Sequence, residues 1–169
     1  MKPTTSTIFL TLCYVFRDGK ILLGMKKRGF GEGWWNGFGG KVQSGEDVTV
    51  AAMRELQEEA GLVAETWERR GVLRFYFEDQ DVVREVHVFA ILSYRGEPKE
   101  SEEMRPSWFF PENVPFAQMW PSDRLWLPIF LQGKSFVGEC LFTPQRQIVS
   151  HIVHEVTAEQ TAHTTAPLA

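Results

Sequence analysis

Glu55, Glu58 and Glu59 are the residues whose types and spacing point most directly to chemistry. Placed on a helix at about 100° per residue, they project within one arc. Val48, Ala52 and Leu56 run along an overlapping arc. The carboxylates therefore border the buried side, whereas a solvated salt-bridge helix turns its charges away from the apolar stripe. Carboxylates crowded near a core raise each other's cost of ionising unless cations sit among them. Hard oxygen donors with no His or Cys nearby suit Mg2+ or Mn2+. An ordinary amphipathic helix with Glu–Arg pairs has the same spacing, so spacing alone leaves both readings open.

The flanks agree with a helix over about 47–60. Gly40 and Gly45 allow a tight loop before it. Asp47 is the predicted N-cap, without a capping box because Val50 stands three residues on. Gly61 is placed to end the helix in the left-handed conformation. Gly39-Gly40 would let backbone approach a metal or a phosphate closely, although glycines of this kind also serve as plain turns.

The rest of the chain reads mainly as strands. Ile8–Phe16 and Lys20–Lys26 are β-rich runs joined across Asp18-Gly19, a hairpin signal. A glycine-rich loop, Gly29 to Gly40, carries Trp34 and Trp35. Glu65–Phe77 and Val82–Tyr94 read as long strands around a polar turn, and Arg105–Phe110 as a short one. Ser122 to Gln132 is a second helix, and Ser135–Thr143 with Gln147–Glu155 a closing pair of strands. Two helices far apart among many strands predict a mixed β-sheet between helices, an α/β/α sandwich, rather than a doubly wound parallel sheet.

Composition narrows the class. A chain of 169 residues is most simply one domain, here placed at 1–156. At 43% hydrophobic residues it has material for a globular core. The tail 157–169, rich in Ala and Thr and without periodicity, is expected to be disordered. A formal net charge of −4 argues against a general nucleic-acid binder, but not against a small polyanion carried by metal ions. Cys13 and Cys140 form no ligand motif and read as buried free thiols of a reducing compartment. No apolar run approaches the length of a membrane helix, and Ile8 to Phe16 reads as a strand rather than a signal peptide. A cytoplasmic protein is the default expectation.

Written as a pattern, Gly40 to Leu62 is G-x5-E-x7-R-E-L-x-E-E-x-G-L, nine fixed positions over twenty-three residues. This segment resembles the signature of the Nudix hydrolases at every fixed position. The likeness extends over roughly 8–156. Gly24 to Gly31, Trp35 to Gln43, Val86 to Phe89, Glu103 to Pro106 and Met119 to Pro121 are similar to the MutT-type oxidised-purine nucleoside triphosphatases of vertebrates. The resemblance implies the Nudix fold and hydrolysis of 8-oxo-dGTP, with 2-oxo-dATP as a further substrate, to the monophosphate and pyrophosphate. A small-molecule purine nucleoside triphosphate is the expected partner and a monomer the expected state, with the charge and the short apolar runs arguing against direct nucleic-acid binding and membrane association.

Carried over by position, the resemblance makes Glu55, Glu58, Glu59, Glu103 and the Gly39 carbonyl metal ligands. One of the box glutamates would also take the proton of the attacking water. Arg54 and Glu46 would brace helix and loop, and Lys26 would meet the phosphates. Thr11, Phe30, Asn36, Phe75, Phe77, Trp120 and Asp123 match base-pocket positions. Aromatic rings supply stacking area for a flat base. Asn36 and Asp123 supply the donors and acceptors that read its edge. Bland readings stand beside these: core for the phenylalanines and Trp120, a turn for Asn36, a helix cap for Asp123.

Two positions depart from the family pattern. Ser122 stands where a second Asp follows the Trp-Pro pair, and Arg84 stands at a pocket Met. Arg84 shares the parity of Val82, Val86 and Val88, so it could pair with Asp123, stack on the base, or bond O6 and N7 of a guanine. It could equally reach solvent near the turn. The alternative function is pyrophosphohydrolysis of another nucleotide: O6-methyl-dGTP, an unmodified dNTP or a dinucleoside polyphosphate. A binding module that has lost catalysis would show broken carboxylates in the box, and none is broken.

Overall fold

The structure, a computed structural model, describes residues 6–162. Strands β1 (Ser6–Arg17) and β2 (Lys20–Lys26) form the expected hairpin, with Asp18 and Gly19 at φ 51° and 72°. These paired positive φ values are what the right-handed strand twist asks of a two-residue turn. A two-residue strand, β3 (Trp35–Asn36), interrupts the glycine-rich loop and pairs with β2. Helix α1 (Val48–Ala60) follows, then β4 (Val63–Phe77), β5 (Val82–Arg95) and β6 (Met104–Phe109). Helix α2 (Asp123–Leu131) precedes β7 (Ser135–Phe142), β8 (Ile148–Val156) and the short helix α3 (Ala158–Ala162).

The strands form one mixed sheet in the order β3-β2-β1-β5-β4-β7-β8, with β6 also on β2. The β1–β5 and β4–β7 pairs are parallel and the others antiparallel. Period-two alternation gives the sheet two buried faces. One face packs Leu73, Val86, Val88 and Ala90 against Trp126, Leu127 and Phe130 of α2. The other packs Cys13, Val15, Phe89 and Ile91 against Ala52, Leu56 and Ala60 of α1. The result is the α/β/α sandwich expected from the order of elements. Both cysteines are free and buried. No helix among the described residues is long and apolar enough to cross a membrane.

The end of the chain differs from expectation. Residues 158–162 are helical, where the sequence reading places an unstructured tail. The cause is local. The Gln160 amide N–H donates to the Thr157 hydroxyl, and the Thr157 N–H donates to Gln160 Oε1, a reciprocal capping box. Arg69 secures this turn by donating to the Thr161 and Ala162 carbonyls. Residues 163–169 lie outside the described residues.

Candidate active site

Helix α1 is built as its flanks dictate. The Asp47 carboxylate accepts from the Thr49 and Val50 N–H groups, and Gly61 closes the helix at φ 72°. Those ends fix which residues face the sheet. Relative to the stripe of Val48, Ala52 and Leu56, Glu59 falls within it and Glu55 at its edge. Glu58 falls roughly 120° from its centre at the usual 100° per residue. Accordingly Glu59 is 6% exposed, whereas the side chains of Glu55 and Glu58 are 16% and 58% exposed. The expectation that all three carboxylates border the core therefore holds for Glu59 and Glu55 and is corrected for Glu58.

The loop before the helix lies along β1 as an extended strip. Thr11 N–H donates to the Gly40 carbonyl at 2.9 Å, and Cys13 exchanges two bonds with Phe38. The intervening Gly39 turns its N–H the other way, to Glu59 Oε1 at 3.0 Å. In extended backbone the C=O of a residue points to the same side as its N–H, so the Gly39 carbonyl also faces the helix carboxylates. Gly39 has to be glycine here, because a Cβ would overlap the Thr11 carbonyl.

Arg54 organises the carboxylates around it. Its Nε and Nη2 take Glu46 at 2.7 and 3.1 Å as a fork, and Nη1 reaches Glu55 at 2.9 Å and Glu58 at 3.2 Å. The Arg54 guanidinium, with the Gln43 N–H, holds the Glu46 carboxyl below its ordinary value. Glu59 lacks such a cation. Burial, with Glu55 and Glu103 nearby, pushes its carboxyl up to about 8, against the Gly39 N–H and Lys26, which lower it. Burial likewise raises Glu55 despite Arg54. Glu103 lies across the cleft in an ion pair with Arg28 at 3.4 Å.

Two cavities meet at Glu59. The first, about 210 Å³, is lined by all eight side chains matched above to base and phosphates, from Thr11 to Asp123, and by Arg84. The second, about 540 Å³, is lined by Glu55, Glu58, Glu59, Glu103 and Gly39. Lys26, Gly39, Gly40 and Glu59 belong to both walls. An aromatic, largely apolar recess thus opens directly onto an acidic cleft, with one lysine at the junction.

Inside the recess Trp120 stands among Phe30, Trp34, Phe77 and Phe142, with ring centroids 5.2, 5.3, 6.4 and 5.9 Å away. Asn36 is held through Oδ1, which accepts from Tyr14 Oη at 3.1 Å and from the Gly37 N–H at 2.8 Å. Its Nδ2 bonds no other group among the described residues. Asp123 is 4% exposed. Trp126 Nε1 donates to its Oδ1 at 3.2 Å, and Oδ2 is buried with no partner. Burial pushes this carboxyl up to about 7. Asp123 is not a helix cap: Ser122 occupies that position without a side-chain cap bond, its buried Oγ unpartnered.

Arg84 is half-buried and lines the recess, and it makes no ion pair with Asp123. Its guanidinium lies 4.9 Å from the Phe77 ring centroid, and Nη2 donates to Gln80 Oε1 at 2.7 Å. Three contributors escaped sequence reasoning. Tyr14 orients Asn36, Trp126 orients Asp123, and Arg146 lays its guanidinium 4.3 Å from the Phe30 ring and 5.1 Å from Trp120. Nothing local marks Tyr14 or Arg146, which act across the sheet and from a distant hairpin turn, whereas Trp126 lies one helical turn from Asp123, a spacing the sequence does show.

The chain is similar to known proteins over most of its length. The model of the NUDIX domain matches residues 10–130. The chain is 51% identical over 147 residues to the oxidized purine nucleoside triphosphate hydrolase of Danio rerio, covering 87% of this chain and 94% of that protein. It is 47% identical over 153 residues to the mouse protein of the same name, covering 90% and 97%. A crystal structure of a MutT protein from Bacillus halodurans superposes with a TM-score of 0.78 at 25% identity, covering 86% of this chain and 97% of that one. With the acidic helix, its glycine loop and these relatives together, the chain belongs to the Nudix hydrolase family.

Proposed function

We propose that this Nudix hydrolase converts oxidised purine nucleoside triphosphates, 8-oxo-dGTP foremost and 2-oxo-dATP as a lesser substrate, to the monophosphate and pyrophosphate, and so clears them from the nucleotide pool. The observation that carries this reading is the shared wall of the two cavities, Lys26, Gly39, Gly40 and Glu59. A base seated against Trp120 would place its phosphates along Lys26 toward the carboxylates. The relatives named for this activity support the same reading.

Nudix hydrolases work with divalent metal ions, and the donor set here fits Mg2+. Every candidate ligand is a hard oxygen, from Glu55, Glu58, Glu59, Glu103 and the Gly39 carbonyl. The raised carboxyl of Glu59 marks negative charge left uncompensated by protein cations. Among the described residues no three such groups stand as a ready-made cage. Glu55 bonds Arg54 through Oε1 alone and keeps Oε2 for a metal, whereas Glu58 would have to turn from Arg54. Bound there, the cation supplies charge neutralisation for the phosphates and a more acidic water.

The chain's own residues do the rest. The recess orients the base, and Lys26 draws the phosphates to the junction. Water attacks the β-phosphorus and the bond from it to the α–β bridging oxygen breaks, leaving monophosphate and pyrophosphate. A box carboxylate accepts the water proton, general-base help worth about 10²–10⁴ in rate; Glu59, at the junction, is our assignment. Pyrophosphate release from 8-oxo-dGTP set against dGTP tests the reading. Arg84 favours one second reading, a guanine nucleotide with an unmodified N7 edge, which that comparison also decides.

A further inference from the structure

Arg84 sits on β5 with its side chain on the recess face, next to Val86 in the same lining. It is fixed on two sides, by the Phe77 ring at 4.9 Å and by Gln80 Oε1 at 2.7 Å. Its Nη1 is buried and has no hydrogen-bond partner. No carboxylate of the described residues forms an ion pair with it. A guanidinium is donor-only, so that N–H has to find an acceptor or forfeit its hydration. The other polar groups of the recess limit what the acceptor can be. Asn36 offers Nδ2 donors, since its Oδ1 accepts both of its side-chain bonds. Asp123 Oδ2 is the single buried carboxylate oxygen without a partner there. Apart from Glu59 and Lys26 at the junction, the unpartnered side-chain groups of the recess are thus two donors, Asn36 Nδ2 and Arg84 Nη1, against one carboxylate oxygen, and their complement is a base edge rich in carbonyl oxygen.

Building on the function proposed above, we propose that Arg84 is a specificity-determining residue whose Nη1 donates to the C6 carbonyl of the bound base, so that the recess favours 6-oxopurines over 6-aminopurines. An amino group at that position would face donor against donor and leave both unpaired, the situation in which polar sites discriminate most strongly. The clamp between Phe77 and Gln80 orders the guanidinium before the base arrives, so little entropy is lost on binding. Lysine could not reproduce this, because its ammonium neither stacks flat on Phe77 nor presents a planar fork.

The test compares kcat/KM for 8-oxo-dGTP and 8-oxo-dATP, which share the C8 carbonyl and differ at C6, N1 and C2, so that it is the change in their ratio on substituting Arg84 that reads the contact. Both are assayed with Mg2+ on the unsubstituted protein, Arg84→Met and Arg84→Lys. Arg84→Met is expected to lower the 8-oxo-dGTP to 8-oxo-dATP ratio by about tenfold or more, through KM rather than kcat, with Arg84→Lys intermediate. Gln80→Ala, which keeps the guanidinium but loosens it, shifts the ratio the same way by less. Affinity for the product 8-oxo-dGMP without added divalent cation, read from tryptophan fluorescence, falls in parallel in Arg84→Met. An unchanged ratio, or equal loss on both nucleotides, overturns the proposal while leaving the functional reading intact. Hydrolysis of neither nucleotide by the unsubstituted protein overturns that reading, and this inference with it.

Discussion

The Glu59 carboxylate accepts the Gly39 N–H at 3.0 Å, and this bond ties α1 to the strip of backbone lying on β1. Both residues line the recess and the cleft at once. The same contact that positions the most buried carboxylate therefore also sets where the two cavities meet. Glu59 lies 6% exposed with no protein cation bonded to it, an arrangement that disfavours its ionised form in the protein alone. In the function proposed here such a group takes up a cation, and its placement is imposed by a glycine.

Gly39→Ala tests that imposition. A Cβ would overlap the Thr11 carbonyl, which is backbone of a central strand and cannot give way cheaply. A loss of about 3 kcal/mol or more is expected from such overpacking, read as a lowered midpoint in urea. Activity should fall with it, since any relief moves the Glu59 contact. An unchanged midpoint would mean that the strip is not fixed on β1.

Glu59→Gln separates chemistry from folding. The amide still offers Oε1 to Gly39, so the melting temperature should hold, and rise at alkaline pH where Glu59 is ionised. Turnover should drop by about 10²–10⁴ if Glu59 is the base, and further if it is also a ligand. Activity near that of the unsubstituted protein would remove Glu59 from the mechanism.

Asp123 makes stability depend on pH with a defined sign. Burial pushes its carboxyl from an ordinary 3.8 up to about 7, so the folded state holds the proton more tightly than the unfolded chain. The associated stability is fully present below about 4 and is lost as pH rises through 7, at no more than ~1.4 kcal/mol per pH unit. Glu59, raised to about 8, adds the same sign in metal-free protein. Asp123→Asn should keep the acceptor for Trp126 and remove only the Asp123 part. Its melting temperature should gain on the unsubstituted protein between pH 4 and 7 and run parallel above. Parallel curves over the whole range would contradict a raised Asp123.

Trp120→Ala should raise KM for the nucleotide far more than it lowers kcat, because stacking acts on the base and not on the phosphorus. Loss of one aromatic partner is worth about 1–3 kcal/mol per stacked base, or roughly tenfold to a hundredfold in KM. Steady-state kinetics at saturating Mg2+ would show it. An unaltered KM would place the base elsewhere.

Much of this arrangement is legible in the sequence because its determinants are local. Asp47 and Gly61 mark the ends of α1, and Asp18-Gly19 marks the first hairpin, from single-residue backbone preferences. Helical periodicity then places Glu59 and Glu55 toward the core, and misplaces Glu58 only because one arc can span both a stripe and its flank. What is not legible depends on contacts between distant segments. Tyr14 reaching Asn36, and Arg146 lying over Trp120, are consequences of sheet order. Arg84 meets Phe77 and Gln80 instead of Asp123 because the turn between β4 and β5 brings those partners closer. The capping box of Thr157 and Gln160 was written in the sequence, but composition alone suggested a tail.

The most direct test of the central claim is pyrophosphate release from 8-oxo-dGTP and dGTP, side by side, with and without Mg2+. The account predicts cation-dependent release with kcat/KM for 8-oxo-dGTP well above that for dGTP. Equal or faster turnover of dGTP, or release from neither, would contradict it and leave only the family's acidic helix explained.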